Sequence, residues 1–174
     1  ILSGFILTHV YQNRFSDKKS KYNYLKARFA RLYPLYFLAL LMDLPRGLAY
    51  FMDKFEFREA MIKIMISIGA HATMLQSWHP RLTPAWNSPA WSLSTEMFFY
   101  VIFLVSMPFI LKRRRNFIEM VILYLAPLLV YFLVWKVKPE LTYSDKFTTF
   151  WRSFPPIRAF EFLIGIYLYN LVRM

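Results

Sequence analysis

The chain has 174 residues, 57% of them hydrophobic and 20% aromatic, and its 18% of charged residues falls short of the roughly one quarter that a soluble domain carries. The net charge of +12 sits in blocks between apolar stretches, as in cytoplasmic loops under the positive-inside rule; a nucleic-acid partner would leave those stretches unexplained. With no cysteine, a disulfide scaffold, a thiolate metal site and a cysteine nucleophile are excluded.

These properties predict an all-α, polytopic transmembrane helix bundle of about five to six helices, forming a single partial membrane domain over residues 1–174. Residues 1–11 are apolar from the first position and carry no signal peptide, which reads as the last part of a helix in a longer protein. Arg14, Lys18, Lys19, Lys21, Lys26, Arg28 and Arg31 follow as a basic block. Residues 32–52 predict the next span, with Pro34 in its first turn and a kinked or emerging far end at Asp43, Pro45 and Arg46. Residues 60–78 predict a third, carrying Lys63 and His71.

Residues 82–111 hold a single charge, Glu96. Pro84 and Pro89 mark a loop, so the helix is expected over 91–111. A second basic block, Lys112, Arg113, Arg114 and Arg115, precedes a span at 117–135 with a kink at Pro127. Residues 136–156 predict a polar, aromatic loop, and residues 158–172 a last helix. Topology carries a conflict. If both basic blocks are cytoplasmic, an odd number of crossings must separate the first from Trp91, yet two are predicted. Either one segment is re-entrant or the second block breaks the rule.

Glu96 is the sharpest chemical signal, because a carboxylate inside a membrane helix faces the bundle interior with a partner or a task. Ser92 lies four residues earlier, one turn away on the same helical face, where hydroxyl and carboxylate together can orient a substrate hydroxyl or hold a base. The alternative is a helix start, with Ser92 as N-cap and Glu96 beside the dipole. Arg28 and Arg31, three apart, would put two guanidinium groups on one side as a phosphate fork; on local evidence alone, anchoring to anionic lipid is the simpler explanation. Arg158 and Glu161, also three apart, suit an ion pair that neutralises both on entering the bilayer, and Gly165 would permit close helix approach. His9 and His79 sit near span ends and His71 within one. None has metal-ligand spacing, and no glycine-rich phosphate loop or serine-hydrolase elbow is present.

Several segments resemble the acyltransferase-3 family of polytopic membrane O-acyltransferases. They are Ser3-Gly4-Phe5-Ile6-Leu7, Arg28-Phe29-Ala30-Arg31-Leu32-Tyr33-Pro34, the run from Pro89-Ala90-Trp91-Ser92 through Glu96 to Tyr100, and Arg158 through Gly165. They occur in the family's order across nearly the whole chain. The resemblance implies transfer of an acyl group, commonly acetyl, from acyl-CoA to a hydroxyl of a sugar or other cell-envelope acceptor, in an inner, multi-pass membrane setting. Arg28 and Arg31 would bind donor phosphates or shape the donor's entrance. Ser92 and Glu96 would line the reaction chamber, with Trp91, Arg158 and Glu161 in support. The family's general-base histidine belongs to a helix before Ser3, and neither His9, His71 nor His79 matches it. The chain is therefore expected to be a fragment, lacking also the C-terminal helices and inactive alone. Two rivals stand beside this reading: a proton-coupled transporter subunit using Glu96 and His71, and a non-catalytic membrane scaffold.

Overall fold

A computed structural model of the chain describes residues 1–15, 17–80, 82, 86, 88–112 and 117–172. Among these the structure is helical throughout, with no strand, as expected for a membrane bundle. In chain order the helices are α1 (Leu2–Tyr11), α2 (Lys18–Lys54), α3 (Phe57–Ala72), α4 (Trp91–Lys112), α5 (Phe117–Val137), α6 (Pro139–Thr142), α7 (Asp145–Ser153) and α8 (Pro155–Val172). Short 3₁₀ turns at Gln76–Trp78 and Ser88–Ala90 lead into α4. Three helices, α2, α4 and α5, are long and apolar enough to cross a membrane.

α2 differs most from expectation. It begins within the basic block, where Asp17 and Ser20 form a capping box: the Asp17 carboxylate accepts from the Ser20 N–H at 2.9 Å, which holds its pKa below the usual carboxylate value. Pro34 is therefore interior and not in the first turn, and the helix continues through Pro45 instead of ending there. Asp43 does not break it, because Arg46 one turn on donates two hydrogen bonds of 2.6 Å to its carboxylate. Buried Tyr24, Tyr36, Leu40, Gly47 and Phe51 form one face at helical spacing. At 1.5 Å per residue α2 is about 55 Å long, well beyond a hydrocarbon core of about 30 Å.

α3 and α4 lie end to end along that face and run opposite to α2. Phe51 and Leu40 pack with Ala60 and Ile64 of α3, and the Tyr36 hydroxyl donates to the His71 carbonyl at 2.7 Å. Tyr33 and Tyr36 then meet Ala90 of the second 3₁₀ turn and Leu93 and Met97 at the start of α4, and Tyr24 meets Tyr100 and Phe103 further down. The segment expected as one span over 60–78 is thus a helix that stops at Ala72 and a 3₁₀ turn. α3, about 24 Å long, is not a crossing by itself. α2 runs one way and α3 and α4 together run back, so Lys112 ends beside the end where Lys18 begins; a bilayer crossed in this way would put both basic blocks on one side. Arg113, Arg114 and Arg115 lie outside the described residues.

The α3 C-terminus closes in a Schellman arrangement. Leu75 N–H reaches the Ala70 carbonyl at 2.7 Å and Met74 N–H reaches His71 at 3.0 Å, with Met74 at φ 56° in the position usually taken by glycine. Ser94 of α4 donates to the Met74 carbonyl at 2.5 Å and Gln76 to the Ala90 carbonyl at 3.1 Å, so the turn is tied to α4.

α8 is the centre of the remaining bundle. Buried Pro155, Ala159, Phe162, Ile166 and Tyr169 repeat at alternating spacings of four and three, the seam spacing of packed helices. It runs parallel to α1 and α4 and antiparallel to α5. A Cβ on Gly4 would collide with the Phe162 carbonyl, and one on Gly165 with the Ile1 carbonyl, so the two glycines let the α1 and α8 backbones touch. α5 has no buried residue and exposes Ile118, Ile122, Leu125 and Leu129, a surface suited to hydrocarbon. Residues 136–156, expected as loop, contain α6 and α7.

Candidate functional site: an arginine in a tyrosine cage beside a carboxylate

α2, α4 and the end of α1 converge on Arg28. Its guanidinium lies 5.0, 5.6 and 5.7 Å from the ring centroids of Tyr11, Tyr24 and Tyr100 and donates to the Tyr11 hydroxyl at 3.0 Å. The rings brace one another edge to face, Tyr11 to Tyr24 at 4.9 Å and Tyr24 to Tyr100 at 6.2 Å. Tyr100 in turn donates to Glu96 Oε1 at 2.5 Å, one turn back on α4. The spacing of α4 thus puts the carboxylate at the edge of the cage, half-buried, with a phenol holding it. Arginine suits such a place because its charge is diffuse and stacks on aromatic faces.

The predicted residues fall out unevenly. Arg28 and Glu96 come together through Tyr100. Arg31 does not share Arg28's setting: it is exposed where Arg28 is half-buried. Ser92 is exposed in the first turn of α4, and its hydroxyl donates to the Pro89 carbonyl at 3.1 Å. It is thus neither the N-cap nor a hydrogen-bond partner of Glu96. Ser94 and Thr95 are the buried hydroxyls of this segment. Thr95 bonds to the carbonyls of Trp91 and Ser153, 3.1 and 3.2 Å away, which ties α4 to the end of α7.

Arg158 and Glu161 do form an ion pair. Arg158 also donates from Nε to the Arg152 carbonyl at 2.7 Å, and the guanidinium groups of Arg152 and Arg158 lie 6.0 and 5.8 Å from the Trp91 ring. The supporting trio predicted from sequence therefore meets at the end of α4 away from the basic blocks. His71 is fully buried, its Nδ1 2.8 Å from the Ser67 carbonyl and its ring stacked on Trp86 at 5.7 Å. His9 packs edge-on to Tyr169 at 5.8 Å. Among the described residues no three of His, Asp and Glu gather as metal ligands.

Sequence reasoning missed the three tyrosines. The signal was present for two: Tyr24 and Tyr100 stand four residues from Arg28 and Glu96. Tyr11 was not readable, since only the turn between α1 and α2 brings it in.

Comparison with known proteins decides the family. The acyltransferase-3 family model, described as an acyltransferase domain, matches residues 1–174. The chain belongs to the acyltransferase-3 family. Among relatives of this acyltransferase-3 chain, Acyltransferase MdmB of Streptomyces mycarofaciens is 26% identical over 99% of the chain and 45% of its own length. Protein 2 in picA locus of Rhizobium radiobacter is 34% identical over 55% of the chain and 56% of its own length. The acyltransferase-3 chain thus spans about half the length of these curated relatives. No solved structure matches it.

Proposed function

We propose that the protein containing this chain is an integral-membrane O-acyltransferase of the inner membrane. It would move an acyl group, acetyl in the simplest case, from acyl-CoA to a hydroxyl of a sugar or other cell-envelope acceptor. The observation that carries the reading is the cage: one arginine and one carboxylate from two different helices, joined through a tyrosine, in a chain of this family. Acyl transfer from a thioester needs cationic groups for the donor and a polar group that orients the base or the acceptor hydroxyl within hydrogen-bond reach. Arg28 and the exposed Arg31 supply the first, at the donor's entrance. Glu96 supplies the second, lining the chamber with Ser92 nearby, and Trp91, Arg158 and Glu161 brace its far end. The family resemblance assigns the base to a histidine outside this chain.

The test uses the full-length protein with labelled acetyl-CoA and a panel of glycans and small alcohols. Wild type should label a hydroxyl acceptor, and Glu96→Gln should lose most of that activity. Wild-type silence on every acceptor, or proton-coupled uptake that fails in Glu96→Gln but ignores Arg28→Ala, would refute it in favour of a transporter.

A further inference from the structure

Tyr24, like Tyr11, is a cage residue outside the quoted motifs, and it is as deeply buried as Tyr100, with 3% of its surface exposed. Its hydroxyl finds no hydrogen-bond partner among the described residues, and neither does Nε of Arg28. Their neighbours are already engaged: the Tyr11 hydroxyl accepts from Arg28, and the Tyr100 hydroxyl donates to Glu96. An arginine Nε–H can only donate, and a phenol donates readily. The cage therefore presents two buried donors that no acceptor among the described residues reaches. An oxygen atom brought by a ligand would complete it.

We propose that the Tyr24 hydroxyl and the Arg28 Nε–H form an oxyanion site for the thioester carbonyl of the acyl donor, which makes Tyr24 a catalytic residue. This rests on the acyl-transfer reading above and assigns an end of the donor to this cage. Exposed Lys18, Lys19 and Lys21 lie seven to ten residues before Arg28 on one continuous helix, about 10–15 Å away at 1.5 Å per residue. Donor phosphates held there leave the extended pantetheine arm to reach Arg28 with its thioester. Glu96 favours a carbonyl over a phosphate at the cage itself. A phosphate dianion beside this carboxylate would be repelled, whereas a carbonyl is neutral on arrival and gains charge only as the bond to the acceptor forms.

In the step, the acceptor oxygen bonds to the acyl carbon while its proton passes to the general base, an imidazole by the family resemblance. The carbonyl π pair moves onto oxygen, where the two donors meet it. The pair then returns, the carbon–sulfur bond breaks, and the CoA thiolate leaves with the proton from the base. Donors that strengthen only as this charge develops lower the barrier without tightening donor binding.

The experiment compares full-length wild type, Tyr24→Phe and Arg31→Ala in detergent with labelled acetyl-CoA and an accepting alcohol. Tyr24→Phe should lower kcat by about 100- to 1000-fold, with donor KM within about twofold and an unchanged melting temperature. Arg31→Ala should act mainly on donor KM. Should Tyr24→Phe fold poorly, Arg28→Lys, which keeps the charge but removes Nε–H, is read the same way. A kcat within about threefold of wild type overturns the assignment, as does a raised donor KM at intact kcat, which would move Tyr24 to phosphate binding. An active wild type with an indifferent Tyr24→Phe removes only this inference; a silent wild type removes it together with the acyl-transfer reading.

Discussion

Replacing Tyr100 by phenylalanine removes one oxygen and leaves the ring that faces Arg28, so it isolates the bond from Tyr100 to Glu96 Oε1, 2.5 Å long. Side-chain hydrogen bonds in membrane bundles average about 0.6 kcal/mol, because the unfolded chain in lipid finds other partners. A charged acceptor raises this to about 1.5–3 kcal/mol, and because Glu96 is half-buried the low end, about 1.5 kcal/mol, applies here. If that bond fixes the carboxylate for catalysis, turnover should fall about tenfold, since about 1.4 kcal/mol is a factor of ten. Donor KM should hold, because the ring over Arg28 remains. The assay is a double-mutant cycle of Tyr100→Phe and Glu96→Gln in the full-length protein, read both as unfolding in detergent and as acetyl transfer. Coupling of about 1–2 kcal/mol in stability is expected. Strict additivity in both readouts would refute the claim that Tyr100 holds Glu96.

Gly4→Ala and Gly165→Ala should each destabilise by at least about 1–3 kcal/mol in detergent unfolding, because the added methyl meets backbone carbonyls that cannot rotate away. Glu161→Gln should cost under about 1 kcal/mol, as expected for an exposed pair, while Arg158→Ala should cost more because it also releases the Arg152 carbonyl and the Trp91 ring; melting temperatures decide between them. Ser92→Ala should change stability by less than about 0.5 kcal/mol and leave turnover nearly unaltered, since its exposed hydroxyl bonds only to the local Pro89 carbonyl. Single cysteines in place of Lys18 and Lys112 should be labelled by an impermeant thiol reagent from the same side of sealed vesicles.

Long apolar segments were readable to within a few residues. The 91–111 and 117–135 expectations became α4 and α5, because about twenty positions with a single carboxylate in each leave the chain few choices in lipid. Failures came where charge was read as interruption. Arg14 to Arg31 looked like a loop, yet the Asp17–Ser20 capping box starts α2 in its midst, and Asp43 with Arg46 looked like an exit, yet each neutralises the other. Glu96 and Arg28 were visible as unusual residues, but their meeting depends on α4 lying against the first half of α2. Nothing local in the sequence says that. Ser92 misled for a related reason: helical spacing put it on the Glu96 face, but an exposed hydroxyl in a first turn meets the carbonyl of the preceding 3₁₀ turn first.

The direction of α3 and the distribution of charge together place the cage relative to the membrane. Because α3 only retraces the second half of α2, the Lys18 and Lys112 ends share a side. Residues 14–31 hold seven cations against Asp17 alone, whereas residues 53–63 hold three of each sign, with Lys63 paired to Glu59 at 3.2 Å. An asymmetry of this size between the two ends of one helix is what the positive-inside rule reads, and the rule predicts a cytoplasmic Lys18 end. Arg28 and Tyr24 lie within ten residues of that end, while Trp91, Arg152 and Arg158 stand at the other end of α4. The cage thus lies toward the Lys18 end of the bundle, and the half braced by Trp91 lies toward the other end. On the acyl-transfer reading proposed above, a catalyst that takes its donor from one side and its acceptor from the other needs its polar groups strung along a single crossing. The facing surfaces of α2 and α4 carry them in that order.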